Sequence, residues 1–150
     1  MKVFLGGTCN ESTWRDSLIK ALKIDYFNPV VDDWTPDCMA EEIKQRQECD
    51  FCLYVITPKM TGVYSIAEVV DDSNKRPRKT VFCVLPTDDG LSFTEGQLRS
   101  LNQVGKMVIE NGGNWFGDLL TTAVFLNNQR GVVAYNQRIR RKHHNDNIPA

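Results

Sequence analysis

No stretch of this chain approaches the ~20 consecutive apolar residues that a membrane-spanning helix needs, so no membrane partner is expected. An excess of one charge is missing too. Eighteen Lys and Arg against 19 Asp and Glu leave a net charge of −1 over 150 residues, which removes the electrostatic case for nucleic acid as a polyanionic partner. The one uneven feature is a basic cluster, RIRRKHH, at 138–144. A third reading, nucleic-acid association through Arg138, Arg140, Arg141 and Lys142, lacks the basic, aromatic-rich sheet face it would need. The glycine fingerprint G-x-G-x-x-G is absent, and so is a phosphate-binding loop ending in Gly-Lys-Ser or Gly-Lys-Thr. No charged leader precedes the first strand-like run after Met1, so a signal peptide is not expected.

Cysteine is present, but without the pattern of a framework. Cys9, Cys38, Cys49, Cys52 and Cys83 are odd in number, which fits reduced thiols and a cytoplasmic protein. Cys49 and Cys52 form a C-x-x-C pair between a polar helix and an apolar strand. The second pair of a zinc site is missing, and a redox pair would want its first cysteine at a helix N-terminus. Buried structural thiols are the simpler reading, and neither metal nor cofactor is expected.

What remains has the composition of an ordinary folded domain, 41% hydrophobic and 25% charged, with no linker or internal repeat. The domain is expected over 1–137, with 138–150 as a basic and polar tail that contributes little to folding. Lys2 to Leu5 reads as a strand, followed by Gly6-Gly7-Thr8. Ser12 is placed to cap a helix carrying Trp14, Leu18, Ala21 and Leu22. A second strand is expected over Tyr26 to Val31, bent or held at an edge by Asn28-Pro29. Asp32 to Pro36 is a loop, and Thr35 or Asp37 caps a helix running to about Glu48. Phe51 to Ile56 has the continuous apolar character of a strand buried on both faces. After a loop at Lys59 to Tyr64, a helix is expected over Ser65 to Asn74, then a buried strand from Thr80 to Leu85 and a loop from Pro86 to Gly90. The spacing then predicts a helix over Thr94 to Val104, a short edge strand over Lys106 to Glu110, a turn at Asn111 to Asn114, and a final amphipathic helix from Trp115 to Leu126. Val132 to Tyr135 forms a short apolar patch.

Strands alternating with helices predict an α/β fold: a doubly wound, largely parallel five-stranded sheet with helices on both faces, flavodoxin- or Rossmann-like. Ligands of such sheets bind beyond the carboxyl ends of the strands. Four polar loops should gather there, at 6–10, 32–36, 57–64 and 86–90.

These loops supply the candidate residues. Gly6, Gly7 and Thr8 allow a ligand close to the backbone and present helix amides to an anion; a plain tight turn is the alternative. Asp32 and Asp33 can accept hydrogen bonds from sugar hydroxyls, and Trp34 can stack on a base; an acidic solvated turn is the alternative. Glu68 stands among apolar neighbours in the first turns of a helix. Either it lies on a solvated face, or burial raises its pKa and suits it to acid–base or nucleophilic work.

Four segments together resemble the nucleoside 2-deoxyribosyltransferase-like family, with its nucleoside and nucleotide N-glycosidase relatives. They are Val3-Phe4-Leu5-Gly6-Gly7; Trp14-Arg15; Asn28-Pro29 with Asp32-Asp33-Trp34; and Cys49 to Ile56 followed by Ser65-Ile66-Ala67-Glu68. The resemblance covers about residues 1–86. It implies cleavage or transfer of an N-glycosidic bond in a nucleoside, nucleotide or related compound, with Glu68 as the nucleophile on the anomeric carbon. It implies that Glu42, eight residues before Asp50, orients the sugar, although a solvated acid beside Glu41 fits that position equally. Thr61, Gly62 and Tyr64 fall in the loop that meets the sugar. Transferases often carry an acid or serine six residues before the glutamate; here that residue is Gly62. The resemblance also implies a homo-oligomer, a dimer or larger, in which a neighbour completes the site; Asn127, Asn128 and Tyr135 are candidates. The alternative function is a non-catalytic module of the same fold that binds a nucleotide-like ligand.

Overall fold

The strand residues sort strictly by parity, and that alternation builds two cores. Val3 and Leu5, Phe51, Leu53 and Val55, and Val81 and Cys83 point to one face, where they meet Trp14, Leu18, Ala123 and Leu126. Phe4, Cys52, Tyr54, Ile56, Phe82 and Val84 point to the other, against Val69, Leu101 and Val108. Side chains alternate across a strand, so a strand packed on both faces must be apolar throughout. The computed structural model describes residues 1–129; the expected boundary at 137/138, the patch at Val132 to Tyr135 and the basic cluster lie outside the described residues.

The strands are β1 (Lys2–Gly7), β2 (Asp25–Phe27), β3 (Phe51–Ile56), β4 (Thr80–Val84), a small hairpin of β5 (Thr87–Asp88) and β6 (Leu91–Ser92), and β7 (Asn114–Phe116). The helices are α1 (Trp14–Ala21), α2 (Pro36–Glu48), α3 (Tyr64–Lys75), α4 (Glu95–Glu110) and α5 (Leu119–Asn127), with a 3₁₀ turn at Pro77–Lys79. The main sheet has the order β2-β1-β3-β4-β7, and every neighbouring pair is parallel. The expected doubly wound, five-stranded α/β fold is therefore present. α1 and α5 cover one face, α3 and α4 the other. The chain reverses its direction of winding between β1 and β3, so their carboxyl ends diverge at the topological switch point.

Several local expectations need correction. The second strand stops at Phe27 instead of Val31. The Asn28 carboxamide oxygen accepts from Val30 N–H at 3.1 Å, a local turn that competes with the ladder, and Pro29 has no N–H to pair. Lys106 to Glu110 is not a strand; it is the last part of α4, which keeps Leu98, Leu101, Val104 and Val108 on one stripe. That helix starts from a full capping box between Thr94 and Gln97, a strong start signal. The fifth strand is Asn114–Phe116, within what was expected to be a turn and a helix start. α5 begins only at Leu119, where the Asp118 carboxylate accepts from Thr121 N–H at 2.7 Å. The 86–90 loop forms the first strand and turn of the β5–β6 hairpin, with Asp89 and Gly90 both at positive φ, as an Asp-Gly turn favours. Ser12 does not cap α1; its hydroxyl donates to Asp88 at 2.5 Å, and Thr13 holds the N-cap position without a side-chain bond. Thr35 does cap α2, accepting from Cys38 N–H at 3.3 Å.

Candidate functional site

The switch point is held open by backbone geometry. Gly7 has φ +114°, and a Cβ there would lie 2.0 Å from the Val55 carbonyl oxygen. Only glycine lets β1 and β3 run this close and then separate. Thr8 continues the joint: its N–H donates to Val55 O at 2.9 Å, and its hydroxyl accepts from Thr57 N–H at 3.0 Å. Two side chains from α1 fasten the strand end. Trp14 Nε1 and Arg15 Nη1 each donate to Thr8 O at 2.8 Å, and Arg15 also donates to Leu5 O at 3.0 and 3.1 Å. The Arg15 guanidinium is buried, stacks over the Trp14 ring at 4.3 Å, and is pulled below the ordinary arginine value by burial, against the opposing effects of Cys9 and Glu42.

Above this joint lies an open cleft of about 170 Å³ lined by Gly7, Thr8, Cys9, Asn10, Ile56, Met60, Thr61, Gly62, Tyr64 and Ser65. Its walls are tied together. Asn10 Nδ2 donates to Lys59 O at 2.8 Å and to Thr61 Oγ1 at 2.7 Å. Lys59 Nζ reaches Glu11 O at 3.3 Å and Asp89 at 3.1 Å, in the turn of the hairpin.

Glu68 sits three and four residues beyond Ser65 and Tyr64 on α3, hence one turn below the cleft rim on the same side of the helix. Its side chain is 13% exposed, and its Oε1 accepts from Arg46 Nη1 at 3.1 Å. Its Oε2 has no hydrogen-bond partner among the described residues. Burial raises its pKa to about 7; Arg46 opposes the rise, while Glu42 and Asp72 add to it. Glu42 is half-buried on α2, and burial raises its pKa too, against Arg15 and Arg46. Below Glu68 the charges are densely paired. Arg46 Nη2 donates to Asp72 Oδ1 at 2.8 Å, Arg76 donates to the same oxygen at 2.7 and 2.9 Å, and the Tyr54 hydroxyl donates to Asp72 Oδ2. Asp72 is fully buried.

The structure thus brings together Gly7, Thr8, Thr61, Gly62 and Tyr64 in the cleft. Gly6 lies beneath it, under the Tyr54 ring, where a Cβ would come within 2.8 Å of Cδ1 and Cε1. Glu42 on α2 is close enough for its charge to act on Glu68, and both acids act on Arg46, but neither is among the cleft-lining residues. Asp32, Asp33 and Trp34 stand apart, exposed in the loop before α2, with Trp34 59% exposed. Asn127 is already engaged within its own chain: its amide accepts from Lys23 N–H at 2.7 Å and donates to Ala21 O at 2.9 Å, closing the end of α1. Sequence reasoning missed the roles of Arg15, Arg46 and Asn10. Arg15 had one available signal: it sits beside Trp14 on the turn leading to Leu18, the buried side of α1. The others had none, because polar residues on a helix or loop read as solvated.

Among the described residues, no group of three His, Cys, Asp or Glu is arranged to hold a metal ion, and no helix is long and apolar enough to cross a membrane. Fold and site together define an α/β domain with a ligand cleft at its switch point and a buried acid beneath the rim. Comparison with known families narrows this class. The model of the family described as "Nucleoside 2-deoxyribosyltransferase like" matches residues 1–87, more than half of the chain, and the chain belongs to that family. No curated protein and no solved structure gives a significant match.

Proposed function

We propose that this protein cleaves or transfers the N-glycosidic bond of a nucleoside or nucleotide, with Glu68 as the nucleophile, as part of cytoplasmic nucleotide metabolism. The observation that carries the reading is Glu68 itself: a nearly buried acid one turn below a cleft at the switch point, with one oxygen held by Arg46 and the other without a partner among the described residues. The ionised Oε2 would attack the anomeric carbon as the carbon–nitrogen bond breaks. The base leaves with the bonding pair and takes up a proton, and a glycosyl ester remains on Glu68. Water or an acceptor base then attacks the same carbon and frees the carboxylate. Glu42, close enough for its charge to act on Glu68, is the candidate to orient the sugar hydroxyls. Gly7 and Thr8 offer backbone to the ligand, while Thr61, Gly62 and Tyr64 wall the cleft. Asp32, Asp33 and Trp34, exposed in the loop before α2, would serve only if that loop folds over the ligand.

The test is a panel of nucleosides, nucleoside monophosphates and acceptor bases, with free base and new nucleoside followed by chromatography for the parent and Glu68→Gln. The expected result is turnover by the parent and a loss of orders of magnitude in the variant, with ligand binding retained. An active variant would falsify the mechanism. One observation favours a second reading, a binding module without turnover: neither Glu68 nor Glu42 is among the residues that line the cleft. A cleft of about 170 Å³ is smaller than the ~300 Å³ at the low end of ligand pockets. A parent that is inactive on the whole panel yet stabilised by one nucleotide would establish that reading. A second copy of the chain that walls the cleft would remove the discrepancy and fits the assembly proposed here, a homo-oligomer.

A further inference from the structure

We infer that Arg46 is the positioning residue of the Glu68 carboxylate: anchored on Asp72, its guanidinium fixes Oε1 and leaves Oε2 as the oxygen presented to a ligand. The inference rests on the reading of Glu68 as nucleophile and adds the device that aims it. Arg46 comes from the last turns of α2, the helix opposite α3, so it spans the gap between the two helices. Its two terminal nitrogens divide their work, Nη1 to Glu68 at 3.1 Å and Nη2 to Asp72 at 2.8 Å. Asp72 cannot yield, because Arg76 donates to it twice and the Tyr54 hydroxyl holds its second oxygen. A planar fork braced on one carboxylate therefore holds the other in one orientation, which a lysine ammonium, a single point charge, cannot do.

Stability alone is a poor reason for this arrangement. Buried ion pairs roughly break even against apolar packing, and here the Arg46 Nε is buried with no partner among the described residues, which costs stability. The charges facing Glu68 are Arg46 and Glu42 from α2 and Asp72 from its own helix. Tyr54 from β3 and Arg76 act through Asp72, and Arg15 from α1 reaches Glu42. Three carboxylates meet three guanidiniums, Arg46, Arg76 and Arg15, so the group is balanced in charge. Among the described residues, Arg46 is the one cation bonded to Glu68, and it favours the ionised form that a nucleophile needs.

The experiment compares Arg46→Met and Arg46→Lys with the parent. One readout is direct: the titration of Glu68 by carbon-detected NMR, with its signal assigned by its loss in Glu68→Gln. The other is turnover against pH on the substrate the parent accepts. In Arg46→Met the Glu68 midpoint should rise by about one pH unit. Turnover near pH 7 should then fall about fiftyfold, roughly fivefold from the smaller ionised fraction, which recovers as pH is raised, and roughly tenfold from lost aim, which does not. In Arg46→Lys the midpoint should move little, yet kcat should still fall about tenfold with KM nearly unchanged, because charge is kept while aim is lost. A residue with a merely structural role would lower the melting temperature and leave the midpoint in place. A folded Arg46→Met with an unshifted midpoint, or an Arg46→Lys as active as the parent, overturns the inference. If the methionine variant fails to fold, the lysine variant decides. Glu68→Gln separates the two levels: an active Glu68→Gln removes the nucleophile itself, whereas an inactive one beside a fully active Arg46→Lys removes only the positioning role.

Discussion

Replacing Glu68 with glutamine should make the protein more stable in neutral and alkaline solution, and the gain should vanish in acid. The Glu68 carboxyl is pushed up to about 7 by burial, while in an unfolded chain it titrates near ~4.3. Between these values the folded protein holds a proton that the unfolded chain has released. Stability from this group is therefore fully present in acid and is lost as pH rises through about 7. At about 1.4 kcal/mol for each pH unit, a rise of this size sets a ceiling of about 4 kcal/mol on the cost of ionising Glu68 in the folded state. Its remaining exposure and local relaxation bring the expected figure to on the order of 1–2 kcal/mol.

Glutamine keeps an acceptor for Arg46 Nη1 and never ionises, so it escapes that cost. Urea unfolding of parent and variant at intervals from pH 4 to pH 9 measures the difference. The fluorescence of Trp14, which is buried against β1, reports the transition. The gap should be near zero at pH 4, open through pH 5–7 and level off above. A gap that stays flat across this range would refute the reasoning, because Glu68 would then be an ordinary solvated helix acid. A variant less stable than the parent at pH 8 would refute it in the other direction, with the Arg46 attraction outweighing desolvation.

Two further outcomes are expected. Gly7→Ala places a methyl group 2.0 Å from Val55 O at φ +114°, so the β1–β3 joint must separate; the variant should lose more than about 3 kcal/mol or fail to fold, as measured by thermal melting and soluble yield, and a near-parental melt would contradict the close approach. The chain should run as a dimer or larger in light scattering at working concentrations, and a monomer throughout would leave the cleft to be completed by ligand alone.

The parts of the fold that were legible in the sequence are those where burial decides everything. Phe51 to Ile56 reads as a strand because both its faces meet apolar layers, and it is one from end to end. The errors fall where a local pattern mimics another. In Lys106 to Glu110, three consecutive apolar residues, Met107, Val108 and Ile109, stand between charged ends with turn residues just beyond, which reads as a short strand; on the helix, Met107 and Ile109 face solvent and only Val108 is inside. Trp115 and Phe116 belong to a strand of three residues, too short to carry a period. The site divides in the same way. The place of the cleft follows from strand order and loop composition, and Gly7, Thr8, Thr61, Gly62 and Tyr64 line it. The pairing of Arg46 with Glu68 and Asp72, residues 22 and 26 positions away, depends on how two helices cross the sheet, and no local pattern in the chain records that.

That division has a physical logic. The half of the site below Glu68 is nearly saturated: each Asp72 oxygen has a donor, Arg15 is spent on the carbonyl oxygens at the end of β1, and Arg46 Nε alone is buried with no partner among the described residues. The half above is unsaturated. Val63 and Tyr64 are largely exposed at the start of α3, a Cβ at Gly62 would meet nothing within 4 Å, and Trp34 lies uncovered in its loop. On the proposed mechanism, such a floor would hold Glu68 to within the small tolerance that attack on a carbon requires. An open rim does the opposite, leaving apolar side chains for a base, a sugar or a second subunit to cover. Gly62 marks the boundary between the two. It stands six residues before Glu68, where transferases resembling this chain often place an acid or a serine, so the rim at that point presents backbone and open space. Whatever the ligand carries there must be recognised by main-chain groups, by Thr61 or by a neighbouring chain, and the base and sugar accepted will follow from that contact more than from the acid beneath it.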